Sequence, residues 1–342
     1  MMLVAESAVA PPVSPPAPPA PVLEVRDLGV RIRLGSRHLR ALDGVGFALR
    51  PGETLGLVGE SGSGKTMTAL ALMRLVQTPP IEIDQGQVLL QGRDILPLSE
   101  RAMEDLRGHR LSMIFQEPMT ALNPVLSIGR QIEEPLRRHL GTGRAAARAT
   151  TLVLLEQVGI RDAARVARAY PHELSGGMRQ RVTIAIAIAC RPAVLVADEP
   201  TTALDVTVQA QILGLLRDLQ RKMGMAMLLI THDLGVLAET AQRVAVMYAG
   251  RVVESAPVAA LFAHPRHPYT RGLLRSIPRI ARERPASLEE IPGTVPSLAA
   301  LPAGCAFAGR CDLATARCAT QRPALETVGA EHDVACWRHA DV

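Results

Sequence analysis

Aromatic side chains are scarce in this 342-residue chain: three Tyr, four Phe and one Trp, 2% of the residues. A binder of single-stranded nucleic acid needs aromatic platforms for the bases, so that class is disfavoured. Lysine is nearly missing too. Lys65 and Lys222 are the two present, so arginine carries almost all the positive charge behind a net charge of +5. That charge is spread along the chain, without the basic block that marks a nucleic-acid arm. No apolar run approaches the roughly 18 residues that cross a bilayer, which excludes a channel made by this chain alone. The start, MMLVAESAVA, has no basic residue and does not read as a secretory signal. A reducing compartment is therefore expected, where clustered cysteines suggest a metal site before disulfides.

The chain is 48% hydrophobic, and at this length it can bury a large core without a disulfide or a metal. Residues 10–21 read APPVSPPAPPAP, a tract that cannot pack, so residues 1–21 are expected to form a disordered leader. From Val22 the pattern changes. Leu28, Val30, Ile32 and Leu34 alternate as in a half-buried strand, and Val45, Phe47 and Leu49 do the same. A short apolar strand (53–59) runs into a glycine-rich loop, and a helical pattern follows from Lys65 to Val76. Residues 127–190 are mostly helical in pattern, with candidate helices at 144–158 and 178–190. The run AVLVADEP (193–200) has the continuous apolar character of a parallel strand buried on both faces. A helix is expected over 206–223, and strands over 226–231 and 244–248. Strands alternating with helices argue for an α/β core with a mainly parallel sheet, interrupted by a helical insertion. After residue 264 proline becomes frequent, periodicity fades and four of the five cysteines appear.

Gly59-Glu60-Ser61-Gly62-Ser63-Gly64-Lys65-Thr66 matches the phosphate-loop pattern G-x-x-x-x-G-K-[ST]. Its glycines let backbone N–H groups approach phosphate oxygens, and the following helix points its positive end at the same anion. Lys65 is expected to reach the outer phosphates, and the Thr66 hydroxyl to ligate Mg²⁺. A chance Gly/Ser turn would lack the strand before and the helix after. Asp198-Glu199 closes the buried run, at the end of a parallel strand where α/β proteins bind ligands. Asp198 is expected to hold Mg²⁺ and Glu199 to polarise an attacking water. His232 and Gln116 each follow an apolar run and are candidates to contact the γ-phosphate, the water or the metal. Standing alone, Gln116 would be an ordinary polar residue, whereas the position of His232 at a strand end favours a functional role over a local contact with Asp233.

Leu174-Ser175-Gly176-Gly177-Met178-Arg179-Gln180-Arg181 completes the set. With the phosphate loop, Gln116, Asp198-Glu199, Ala203-Leu204-Asp205 and His232, it resembles the nucleotide-binding subunit of an ATP-binding-cassette (ABC) transporter. The resemblance implies a P-loop ATPase core with an antiparallel β subdomain, spanning 22–263, with a helical subdomain at about 119–190. It implies ATP and Mg²⁺ as ligands and a head-to-tail pair of homologous or identical subunits. Ser175, Gly176 and Gly177 of one subunit would cover ATP held by the other, with Asp205 at the seam. The family usually stacks adenine on an aromatic residue; Leu39 is the counterpart here, and a leucine offers no π-stacking.

QEPMTALNP (116–124), LSGGMRQR (174–181), DEPTTALDVTVQAQI (198–212), HPYTRGLL (267–274) and the tail IPGTVPSL…PAGCAFAGRC…C…H…VAC (291–336) resemble importer ATPases for dipeptides, oligopeptides or nickel. That implies two permease chains, an external solute-binding protein delivering solute to them, and a peripheral position on the cytoplasmic face of the membrane. Opine and glutathione importers share these motifs. A soluble ABC ATPase acting on nucleic acid or ribosomes usually has two cassettes or a coiled-coil insertion, and this chain has neither. In the extension, 264–342, Cys305, Cys311, Cys318 and Cys336 lack the close C-x₂₋₄-C pair of structural zinc sites. Four thiolates could hold a [4Fe–4S] cluster, zinc or nothing; the resemblance favours the cluster. Cys190 stands apart and is expected to be a small buried hydrophobe.

Overall fold

The computed structural model describes residues 19–117, 121–202, 204–277 and 291–342. The leader up to residue 18, the expected start of the helical subdomain near 119, and Ala203 lie outside the described residues.

Two sheets organise the chain. An antiparallel sheet is built from β1 (Leu23–Leu34), β2 (Arg37–Leu49), β4 (Ile81–Leu90) and β5 (Arg93–Asp94), in the order β2-β1-β4-β5. Its long strands follow from the alternation seen in the sequence: Leu28 and Val30 are fully buried, while Arg31 and Arg33 face outward beside Glu82 and His38. The larger sheet centres on β3 (Thr54–Val58), β6 (Leu111–Ile114), β7 (Val194–Asp198), β8 (Ala226–Ile230) and β9 (Arg243–Tyr248), all parallel. The order β9-β3-β8-β7-β6 is extended past β9 by antiparallel β10 (Arg251–Pro257). Every residue of β3, β7 and β8 is buried.

The continuous apolar runs have a physical cause. Val194, Val196, Leu228 and Ile230 face one core, shared with the antiparallel sheet and α1 (Lys65–Leu72). Leu195, Ala197, Met227 and Leu229 face a second core, filled by the helices. Those are α3 (Ile128–Leu140), α4 (Arg144–Gln157), α5 (Ala163–Val166), α6 (Gly176–Ile188) and α7 (Val206–Met223), whereas α2 (Glu100–Leu106) packs Met103 into the first core. A strand covered on both sides has no solvent face on which polar residues could alternate. Helix α1 stops four residues before the periodicity does. Arg74 takes a left-handed conformation (φ 50°), and the Leu75 N–H turns back to the Leu70 carbonyl at 2.8 Å, a Schellman-type end.

The C-terminal part is not a loose appendage. After α8 (Leu234–Thr240), β9, β10 and α9 (Val258–Ala263) comes α10 (Pro268–Arg275). A later hairpin, β11 (Glu326–Gly329) and β12 (His332–Val334), pairs β12 with β10 and so lengthens the main sheet. Tyr248 from the core packs edge-on against Tyr269 and Phe307 from the extension, at centroid distances of 4.7 and 5.3 Å. Glu254, fully buried on β10, accepts the N–H groups of Arg266 and His267 and lies 2.7 Å from the His332 ring. His267 is itself buried, and burial pushes its pKa down to about 4 against the pull of Glu254. Its neutral Nδ1 accepts the Tyr269 N–H at 3.1 Å.

Candidate functional site

The loop between β3 and α1 is bent back on the sheet. A Cβ on Gly59 would stand 2.2 Å from the Met247 carbonyl oxygen, so only glycine fits there. Gly62 and Gly64 have φ of 79° and 106°, which glycine adopts without strain. The loop is tied to the β9–β10 turn by the Gly250 N–H, which donates to the Ser63 carbonyl at 2.8 Å. Lys65 is buried at the head of α1, and its Nζ donates to the carbonyls of Gly59 and Glu60 at 2.8 and 3.0 Å. Burial lowers the Lys65 pKa, opposed by Glu199, Asp198 and Glu60.

A cleft of about 660 Å³ opens over this loop, lined by Ser61, Gly62, Lys65, Thr66, Gln116, Glu199 and His232 among others. Strands β3, β6, β7 and β8 end there with their carboxyl ends, so residues distant in sequence meet. Asp198, the last residue of β7, lies 3.4 Å from the Thr66 hydroxyl, which donates to it. Burial raises its pKa to about 6, helped by the adjacent Glu199 charge and opposed by Thr66 and Lys65. A buried carboxylate held beside a hydroxyl suits a divalent cation, so the donor set fits Mg²⁺.

Glu199 behaves in the opposite way. Its backbone is left-handed at φ 44°, a conformation that costs energy for a non-glycine residue and persists where surroundings enforce it. The Thr202 hydroxyl donates to Oε2 at 2.7 Å and Gln116 Nε2 donates to the same oxygen at 3.3 Å. His232 Nδ1 lies 3.4 Å from Oε1. Burial would raise the Glu199 pKa. The bonds from Thr202 and His232, with the charges of His232 and Lys65, outweigh it, so the pKa is lowered. Two adjacent carboxylates are thereby pushed apart in acidity, Asp198 upward and Glu199 downward.

The remaining expected residues lie elsewhere. Ser175 caps α6, accepting the Met178 N–H at 3.4 Å, and Gly176-Gly177 form its first turn. None of the three lines the cleft. They pack beside α7, where a Cβ on Gly177 would meet Val208 at 3.1 Å. Asp205 caps α7 through the Val208 N–H at 2.9 Å, next to Val206, which is 83% exposed. Leu39 sits opposite Ile32 across the β1–β2 pair. Ile32, Ala41, Met67 and Leu298 form the apolar part of the cleft wall. Leu298, from the extension, carries no sequence signal for such a place.

Cys305, Cys311, Cys318 and Cys336 converge on one small cavity, together with Phe307 and Trp337. All four are free thiols. Burial, then the other cysteines, raises the pKa of Cys336 to about 11. Among the described residues no group of three or more His, Cys, Asp or Glu closes on a single metal ion.

A phosphate loop after β3, paired acids at the end of β7, a histidine after the intervening β8 and an outlying serine-glycine helix start define an ABC ATPase. The ABC transporter profile matches residues 42–202, and the profile described as "Oligopeptide/dipeptide transporter, C-terminal region" matches 253–318. A chain from Brucella ovis is 52% identical over 332 residues, covering 94% of this chain and 98% of its own. The oligopeptide transport ATP-binding protein OppD of Bacillus subtilis is 48% identical over 316 residues, covering 92% and 88%. Among solved structures, the dimeric ATP-binding cassette MJ0796, bound to ADP and phosphate, superposes with a TM-score of 0.62 at 26% identity. It covers 69% of this chain and 98% of that one. The chain belongs to the oligopeptide/dipeptide importer family of ABC transporter ATP-binding proteins, and it is an ATPase of that family. No described helix is long and apolar enough to cross a membrane.

Proposed function

We propose that this chain is one of two ATPase subunits that energise import of dipeptides and oligopeptides. It works on the cytoplasmic face of the membrane, beneath two permease chains that receive solute from an external binding protein. The match of the extension, residues 253–318, carries the choice of solute, because the ATPase motifs themselves are blind to it. In this reading residues 1–21 are a leader, 22–263 the ATPase domain and 264–342 the importer-specific extension.

The loop from Gly59 to Thr66 takes the phosphates, with Lys65 at the outer ones. Thr66, Asp198 and Gln116 would hold Mg²⁺, which when bound supplies charge neutralisation to the phosphate oxygens. The apolar wall of Ile32, Ala41, Met67 and Leu298 takes the base. Glu199 accepts a proton from the attacking water, while His232 and Gln116 steady its carboxylate. Ser175 and the Gly176 and Gly177 N–H groups cover the ATP of the partner subunit, and Asp205 lies at the seam. Binding of two ATP closes the pair, and hydrolysis reopens it. Deleting this chain's gene is expected to abolish uptake of labelled dipeptides and oligopeptides by whole cells while Ni²⁺ uptake continues. Undiminished peptide uptake, or loss of Ni²⁺ uptake instead, would overturn the solute assignment.

The four cysteines, which line one small cavity, would supply the thiolates of a [4Fe–4S] cluster, the ligand that the resemblance of the tail favours. Bound there, the cluster would crosslink the extension, and nothing near it calls for redox chemistry. Anaerobic purification is expected to give brown protein with broad visible absorption. A colourless sample carrying zinc, or no metal, would reject the cluster.

A further inference from the structure

The second residue of the phosphate loop is an acid. A carboxylate beside a bound triphosphate repels it, and the repulsion is strong where water is partly excluded. The fold places a counter-charge on Glu60. Arg310 Nη1 donates to Glu60 Oε2 at 2.6 Å and Nη2 donates to Oε1 at 3.0 Å, a two-pronged pair between residues 250 positions apart. The Arg310 side chain is 6% exposed. Its Nε donates to the Pro292 carbonyl at 2.8 Å and Nη2 to the Ile291 carbonyl at 3.2 Å. Its guanidinium lies 5.9 and 5.8 Å from the ring centres of Tyr248 and Phe307. Held on all sides, it loses little further side-chain freedom in meeting Glu60, unlike an exposed surface pair.

The backbone of Glu60 is fixed as well. Its N–H donates to the Tyr269 hydroxyl oxygen at 2.8 Å, and its carbonyl accepts from Lys65 Nζ. Tyr269 and Arg310 both belong to the extension, and Arg310 directly precedes Cys311, which lines the thiol cavity. We infer that Arg310 is a positioning residue of the ATPase: it neutralises Glu60 and, with Tyr269, holds the phosphate loop ready for ATP. The extension is then a working part of the nucleotide site. This rests on residues 59–66 holding the phosphates.

The test is a double-mutant cycle on the full chain, reading equilibrium binding of Mg·ATP together with the thermal unfolding midpoint. Arg310→Ala is expected to weaken binding by about tenfold or more, because Glu60 is left as an uncompensated charge. Glu60→Gln sets the reference for the second arm of the cycle, because its amide carries no charge for Arg310 to neutralise. In the Glu60→Gln background, Arg310→Ala is expected to cost less than about threefold, since no charge remains to neutralise. Equal losses in both backgrounds would show that Arg310 is only scaffolding, and wild-type binding by Arg310→Ala would also overturn the inference. Should Arg310→Ala alone fail to fold, the double variant against Glu60→Gln decides: a loss of about tenfold there rejects the inference and near-equality supports it. Lys65→Ala is the control. If it binds ATP normally, the reading of the loop fails rather than the role of Arg310.

Discussion

Lys65→Ala is expected to lose ATP binding by well over about tenfold and to reduce hydrolysis to background. Three carboxylates, Asp198, Glu199 and Glu60, act electrostatically on Lys65. Removing its ammonium leaves that acidic group facing the triphosphate. Even at an effective dielectric near 20, two unit charges about 4 Å apart interact by about 4 kcal/mol. About 1.4 kcal/mol suffices for tenfold, so a fraction of that energy is enough. Lys65 is also 6% exposed, with its stem packed at the head of α1, so water cannot simply replace the lost charge. Arginine is not a substitute, because its planar fork is larger than the ammonium that Gly59 and Glu60 hold. Titration of the full chain with Mg·ATP reads the loss directly. Binding within about twofold of wild type would mean that the loop does not cradle phosphate.

The parts of this site that were legible in the sequence are those whose cause is local. The phosphate loop declared itself because strand, glycines, lysine and helix are consecutive, and the structure keeps them in that order. The acid pair was legible because β7 is buried on both faces and must end where its first charged residues appear. The helices at 144–157 and 206–223 match their apolar periodicity within a residue or two. What could not be read depends on contacts made across the chain. Residues 326–334 are short and largely exposed at β11, and only pairing with β10 makes them a sheet edge. No pattern links Glu60 to Arg310 or to Tyr269, because those contacts exist only once the extension has docked. Spacing likewise left the cysteines undecided, since C-x5-C-x6-C-x17-C fixes no distance between the sulfurs. Close packing at Gly304, where a Cβ would stand 2.2 Å from the Cys318 carbonyl oxygen, brings the Cys305 and Cys318 segments together.

Glu199→Gln separates binding from chemistry in a way that Lys65→Ala cannot. The amide keeps the size of the carboxylate, and its oxygen can still accept from the Thr202 hydroxyl now 2.7 Å from Oε2. The loop, Lys65 and Thr66 are untouched, and the cleft becomes less negative, so ATP is expected to bind at least as well as to wild type. Turnover in the assembled complex is expected to fall by at least about tenfold, within the ~10²–10⁴ that a positioned general base contributes. Geometry favours this assignment over Asp198: Glu199 lines the cleft beside Gln116 and His232, whereas Asp198 is buried against the Thr66 hydroxyl. A variant that binds ATP but cannot cleave it should also accumulate in the closed, paired state, which size measurement with and without ATP would detect. Unchanged turnover would transfer the base role to another group, with His232, 3.4 Å from Glu199, the next to replace.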